Sequence, residues 1–164
     1  MPNWCSNSFE VSHKDAEMIT KFADCVKAGN LFETFIPLST VEWEHGVASE
    51  EWGTKWDVDC GDVSIDSTGK SAFGFFNTAW GPGIRAYEKL EELGFELNVL
   101  YHESGMCFAG QYIQGEYDYY EYDFGDKNWR EKILNDEVLD YLEQEYESWR
   151  EWQEELSEEE DGSE

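Results

Sequence analysis

Trp52-Gly53-Thr54-Lys55-Trp56-Asp57 opens, and Phe75-Phe76-Asn77-Thr78-Ala79-Trp80-Gly81-Pro82-Gly83 closes, the stretch on which the reading of this chain turns. Two tryptophans bracket a Gly-Thr-Lys turn. Val58, Cys60, Val63 and Ile65 then alternate across a Gly61-Asp62 break, and Ser67-Thr68-Gly69-Lys70 turns the chain into Ser71 to Ala79. The pattern predicts a β-hairpin. Trp80-Gly81-Pro82-Gly83 predicts a helix start, with Pro82 as first helical residue. Ile84, Tyr87, Leu90 and Leu93 give that helix its apolar stripe, and Gly94 ends it.

Upstream, Cys5, Phe9 and Val11 alternate as in a strand, and Ser12-His13-Lys14-Asp15 offers capping groups to a helix. Met18, Ile19, Phe22, Ala23, Cys25 and Val26 make its buried face, and Gly29-Asn30 stops it. Leu31 to Glu51 reads as an irregular loop pinned by Phe32, Phe35, Ile36 and Leu38, with a short helix near Thr40 to His45. Downstream, Phe95 to His102 alternates, Ser104-Gly105 turns, and Met106, Phe108, Tyr112 and Ile113 continue a further strand. The order predicts an α+β fold: a ferredoxin-like split β-α-β with an antiparallel sheet, an extra edge hairpin and a C-terminal acidic amphipathic helix. Its boundaries are expected at 1–126 for the α+β domain, 127–157 for the helical segment and 158–164 for an acidic flexible tail. With helices on one face, the other sheet face is left partly exposed and takes some of the aromatics.

Met1-Pro2-Asn3-Trp4-Cys5-Ser6-Asn7, Trp52 to Asp57, Phe76 to Pro82 and the strand pair from Phe95 to Gly110 together resemble the YubB-like ferredoxin-domain family of plasmids and bacteriophages, over most of residues 1 to 115. The resemblance implies the ferredoxin-like fold and a mobile-element origin. The family is a domain of unknown function and supplies no catalytic residues. Gly81-Pro82-Gly83 stands where the family tends to show paired prolines, and nothing in the resemblance explains the acidic end from Glu116 onward.

Eleven Lys and Arg oppose 38 Asp and Glu in 164 residues, a net charge of −27. Such a field repels nucleic acid and anionic lipid and attracts basic proteins, so no direct nucleic-acid or membrane partner is expected. Stacking of bases on an exposed sheet would need a positive groove, and Ser71 to Trp80 contains no Lys or Arg. Cys5, Cys25, Cys60 and Cys107 lie far apart with no Cys-x-x-Cys, which predicts isolated buried thiols in a reduced, cytoplasmic setting. The N-terminal residues lack the basic and apolar regions of a signal peptide. Asp57-Val58-Asp59-Cys60-Gly61-Asp62 begins like a calcium loop, but Gly61 and Asp62 stand at the wrong positions and Thr68 replaces the closing Glu. Glu44-His45 and His102-Glu103 lack metal-ligand spacing, no nucleophile motif is present, and no metal, cofactor or catalytic residue is expected.

Glu116, Asp118, Glu121, Asp123 and Asp126 interleave with Tyr119, Tyr122 and other phenols over an expected continued strand. Carboxylates beside aromatic rings can accept arginine forks and stack on guanidinium planes. A solvated edge strand, kept monomeric by like charge, is the plain alternative. From Lys127 the pattern is helical: Trp129, Ile133, Val138, Leu142, Tyr146, Trp149 and Leu156 form a stripe, with Asn135-Asp136 able to cap a fresh start. Opposite it run Glu143, Glu147, Glu151, Glu154 and Glu158 at steps of three and four. DNA presents about one charge per 1.7 Å of axis, so these carboxylates offer a comparable field to a basic nucleic-acid-binding host protein. The leading expectation is therefore a non-enzymatic DNA mimic that blocks a host defence or DNA-processing complex. The other readings are a solubilising acidic tail, a small hydrolase or transferase with a carboxylate-histidine site near Trp52, and a phage scaffold that dimerises through the 129-to-156 stripe.

Overall fold

The computed structural model describes residues 2–162. Met1, which belongs to the resembling motif, and residues 163 and 164 of the expected tail lie outside the described residues. The chain divides into two compact units, after Tyr119 rather than at 126. The first contains an antiparallel sheet in the order β2-β3-β1-β4-β5-β6, formed by Asp59–Ile65, Ser71–Ala79, Trp4–Ser12, Glu96–Glu103, Phe108–Ile113 and Glu116–Tyr117 respectively.

Register fixes which side chains face inward. Phe9 lies opposite Gly74 and Val99, Val11 opposite Ala72 and Leu97, and Val99 opposite Tyr112. All of these except Gly74 are buried, in one core with Phe22, Phe32, Phe76, Tyr87 and Phe95. Burying each such ring contributes roughly 1.5–3 kcal/mol. Helix α1 (Ala16–Ala28) presents Ile19, Phe22, Ala23, Cys25 and Val26 to that core. Asp15 caps it by accepting the Glu17 N–H, and Gly29, at φ 77°, ends it with its N–H on the carbonyls of Cys25 and Val26.

Between α1 and β2 the expected loop contains two helices, α2 (Leu31–Phe35) and α3 (His45–Trp52). The short helix expected near 40–45 is absent; residues 40 to 44 are non-helical, and α3 begins at His45. α2 escapes sequence reading because its cap comes from 25 residues away. The Asp57 carboxylate accepts the N–H groups of Phe32 and Glu33, both at 2.9 Å, and also that of Val58 at 2.8 Å. Helix α4 (Ile84–Glu92) buries Ala86, Tyr87 and Leu90. It starts two residues after Pro82, with Gly83 at the cap, and Leu93 falls beyond its end and is exposed.

The Gly61-Asp62 break is a register shift between Asp59 and Asp62 in β2. It turns Cys60 outward at φ 51°, so the strict inward alternation expected through Cys60 and Ile65 fails and both are exposed. Only Cys5 and Cys25 are buried thiols; Cys107 is intermediate, and all four are free.

The second unit holds a two-residue strand β7 (Tyr120–Glu121), one turn of 3-10 helix (Trp129–Lys132) and the long helix α5 (Asp136–Gly162). Asn135 caps α5 by accepting the N–H groups of Glu137 and Val138. Of the two arrangements open to this segment, a short helix followed by a longer one is found. Helix continues through Gly162, across most of the stretch expected as a flexible tail. No helix among the described residues is long and apolar enough to cross a membrane.

Candidate functional site

The expected acidic strand over 116–126 is two dipeptide strands separated by residues 118–119, with turns only after the second. Asp123 and Asp126 hold those turns, and Asp118 bonds across to Gln111 of β5. Glu116 is exposed, but Asp118 is half-buried, with one carboxylate oxygen accepting the Gln111 N–H at 2.7 Å and its carbonyl accepting the Tyr101 hydroxyl. Burial, with Asp118 adding to it, pushes the Tyr101 hydroxyl pKa up. Tyr119 is exposed and packs on Phe108, ring centroids 5.0 Å apart.

In the second unit Glu121 is exposed, Asp123 accepts the Gly125 N–H at 2.9 Å and Asp126 accepts the Asn128 N–H at 2.9 Å. Tyr122 is buried, its ring 4.5 Å from that of Phe124. A residue so placed builds the interior of its unit and presents no ring to a partner, which corrects its assignment to a docking row. Phe124 in turn packs against Trp129, Tyr146 and Trp149 in an aromatic cluster.

The first half of α5 is engaged in that unit. Val138 and Leu142 are buried. Arg130 lies over the rings of Trp129 and Tyr146, at 4.6 and 4.8 Å, and forks onto Glu143 through Nε and, at 3.0 Å, Nη2. Glu143 therefore stabilises the fold of its own unit. Glu147 accepts Arg150 at 3.0 Å, an exposed pair worth less than about 1 kcal/mol.

Beyond Arg150 the helix changes character. Every residue from 151 to 162 is exposed, including Trp152 and Leu156, so the apolar stripe expected to reach Leu156 stops at Trp149. Glu151, Glu154 and Glu158 stand here with Glu155, Glu159, Glu160 and Asp161, and the segment contains no Lys or Arg. Twelve residues span about 18 Å of helix at 1.5 Å each, so seven carboxylates give one charge per ~2.6 Å, against about 1.7 Å for duplex DNA.

The residues nominated for chemistry near Trp52 are not brought together. Glu44 and His45 are exposed at the start of α3, while His102 and Glu103 are buried at the end of β4. Both Glu103 oxygens accept backbone N–H groups, from Gly105 at 2.6 Å and Met106 at 2.8 Å. Burial pushes the His102 pKa down to about 4. A cavity of about 300 Å³ does lie beside Trp52, lined by Trp43, Trp56, Glu33 and Asp57 among others, and no histidine reaches it. Among the described residues no three His, Cys, Asp or Glu are grouped to hold a metal ion.

Trp52 to Trp80 is structural. Thr54 donates to the Ala79 carbonyl at 2.8 Å, Thr78 to the Gly81 carbonyl at 2.6 Å, and the Trp80 N–H to the Asn3 carbonyl at 2.7 Å. Asn7, wholly buried, donates to Thr78 Oγ1 at 2.9 Å and accepts the Tyr87 hydroxyl at 2.6 Å. These bonds tie the N-terminal strand, the Trp-Gly-Pro-Gly turn and α4 into one unit.

The residues that escaped the sequence reading as individuals are Phe73 and Phe75, 57% and 51% exposed in the interior strand β3. The signal was present: in a strand Phe73, Phe75 and Phe76 cannot all face one side. Searches against protein-family models, curated proteins and solved structures return no match to this chain.

Proposed function

We propose that this chain is a non-enzymatic, mobile-element protein that occupies the basic nucleic-acid-binding site of a host defence or DNA-processing protein by presenting the charge pattern of DNA. The observation that carries the reading is the C-terminal half of α5, exposed on every side with seven carboxylates and no cation over twelve residues. Ordinary globular stability does not call for such a segment. Like charges three and four apart destabilise a helix, and acids at its C-terminus oppose the helix dipole.

The mobile-element part of the reading rests on the sequence resemblance, with which the fold plan is compatible. The strand order β2-β3-β1-β4, with helices following β1 and β3, fits a ferredoxin-like split β-α-β plan, to which β5 and β6 add an edge. The N-terminal, Trp52 and Trp80 motifs that resemble the plasmid and phage family are the same residues that knit this frame together. Glu116, Glu151, Glu154 and Glu158 remain the exposed carboxylates offered to a partner, whereas Asp118 and Glu143 are committed within the fold.

Immobilised protein incubated with lysate of the bacterial host tests this. The expected result is capture of a nucleic-acid-binding protein that duplex DNA elutes competitively, with log affinity falling linearly against log salt. Capture that is insensitive to salt, or a partner that DNA does not displace, overturns the reading.

A further inference from the structure

The sheet of the first unit has a second face, and part of it is uncovered. Phe73 and Phe75 project from this face of β3, which lies between β2 and β1 rather than at an edge. Two phenyl rings more than half exposed on an interior strand form an apolar surface that the fold itself does not use. Gly74 between them is explained by packing: a Cβ there would sit 2.1 Å from the Asp62 carbonyl oxygen.

Each ring has a carboxylate as its direct cross-strand neighbour. Glu10 of β1 is registered opposite Phe73, and Asp62 of β2 opposite Phe75, and both carboxylates are exposed. Side chains so paired have Cβ atoms about 4.5–5.5 Å apart. A groove of about 450 Å³ runs over the same face from Phe73 toward β4 and β5; Glu10, Asp66, Glu96 and Ile113 are among its lining residues, and no Lys, Arg or His is. Hydrogen bonding to Thr68 holds the Asp66 pKa below the usual carboxylate value.

A ring with a carboxylate beside it fits a guanidinium, which stacks on the aromatic face while its N–H groups meet the carboxylate; Asp62 accepts the Val63 N–H through Oδ1 at 2.9 Å and offers its other oxygen. Phosphate-bearing ligands are excluded by the same carboxylates. The two rings recur two residues apart on β3, a spacing of about 6.6 Å, with their carboxylates on opposite flanks, Glu10 on β1 and Asp62 on β2. An extended peptide directs every second side chain to one side at the same repeat. We infer that the open face of the β2-β3-β1 sheet docks an extended, arginine-bearing segment of a protein partner, with an Arg-x-Arg pair seated on Phe73–Glu10 and Phe75–Asp62. This site lies in the first unit and is independent of the α5 carboxylates.

Fluorescence anisotropy on the full chain tests it, with labelled Gly-Ser-Arg-Ser-Arg-Ser-Gly as probe. Its lysine counterpart, an Arg-Ser-Ser-Arg version and an oligo-dU of twelve nucleotides serve as competitors. The Arg-x-Arg peptide should bind at least about fivefold more tightly than the lysine and wider-spaced peptides. Phe73→Ser with Phe75→Ser should weaken it about tenfold, and Glu10→Gln with Asp62→Asn by a similar factor. The second pair reads the site through charge alone if the first disturbs folding. Glu154→Gln with Glu158→Gln should leave peptide binding unchanged while weakening capture of a DNA-displaceable partner, so failure of either reading is told from failure of the other. Equal binding of the lysine peptide, indifference to both variant pairs, or preference for oligo-dU overturns the inference.

Discussion

Asn7 has both its side-chain N–H groups and its amide oxygen hydrogen-bonded inside the core. It donates to the Cys5 carbonyl, Thr78 and the Phe76 carbonyl, and accepts from the fully buried Tyr87 hydroxyl. Asn7→Leu fills the volume but strands the Tyr87 hydroxyl. It should lower unfolding free energy by about 2–4 kcal/mol in urea titrations, more than a surface Asn→Leu change would. His102 makes a pH-dependent contribution of known sign. Its folded pKa of about 4 lies below the ordinary 6.5 because burial disfavours the imidazolium. Above pH 6.5 both folded and unfolded chains hold it neutral and its contribution is complete. As pH falls from 6.5 toward 4 the unfolded chain takes the proton first, and stability drops by about 1.4 kcal/mol per pH unit and about 3 in all. Urea midpoints measured across that range should show this component in the wild type and lose it in His102→Gln.

Among the elements, those whose signals are local are legible in the sequence. β1, α1, the β2–β3 hairpin, α4, β4 and β5 each carry their own alternation, cap or stripe, and Asp66 turns the hairpin by accepting the Thr68 and Gly69 N–H groups. What escaped depends on partners distant in sequence: α2 on the Asp57 carboxylate, and the open-face role of Phe73 and Phe75 on which sheet face the helices cover. The 116–126 segment misled because alternating Asp and Tyr imitates an edge strand, while the side chains of Asp123 and Asp126 bend the backbone into turns. α5 splits within one element. Its N-terminal half is anchored by Val138, Leu142 and the Trp129–Tyr146 contact, and its C-terminal half has no buried residue. Hydrogen exchange should therefore be fast across 151–162 in low salt and slow several-fold in 0.5 M NaCl, since screening relieves like-charge pairs worth ~0.2–0.5 kcal/mol each. Salt-independent exchange there would show that the charges do not govern this half of the helix.

Across the whole molecule, net charge −27 acts on both units at once. Self-repulsion of that size opposes compaction, and added salt should raise the melting temperature by several degrees even where no ion pair is gained. The four free thiols supply an internal ledger of the opposing cohesion. Cys60 is exposed and Cys107 partly so, whereas Cys25 is buried and the Cys5 thiol is sealed in the core with its pKa pushed up to about 12. An alkylating reagent added to the native protein should modify Cys60 and Cys107 and stop, with mass spectrometry finding two adducts in the folded chain and four in urea. Cys25 lies in the main core and Cys5 in a separate buried cluster with Tyr101 and Phe108, so any slower labelling of both at a single common rate would mark opening of the whole first unit rather than of either cluster alone. The distribution of sulfur through this fold thus makes its unreactive half a clock for global opening.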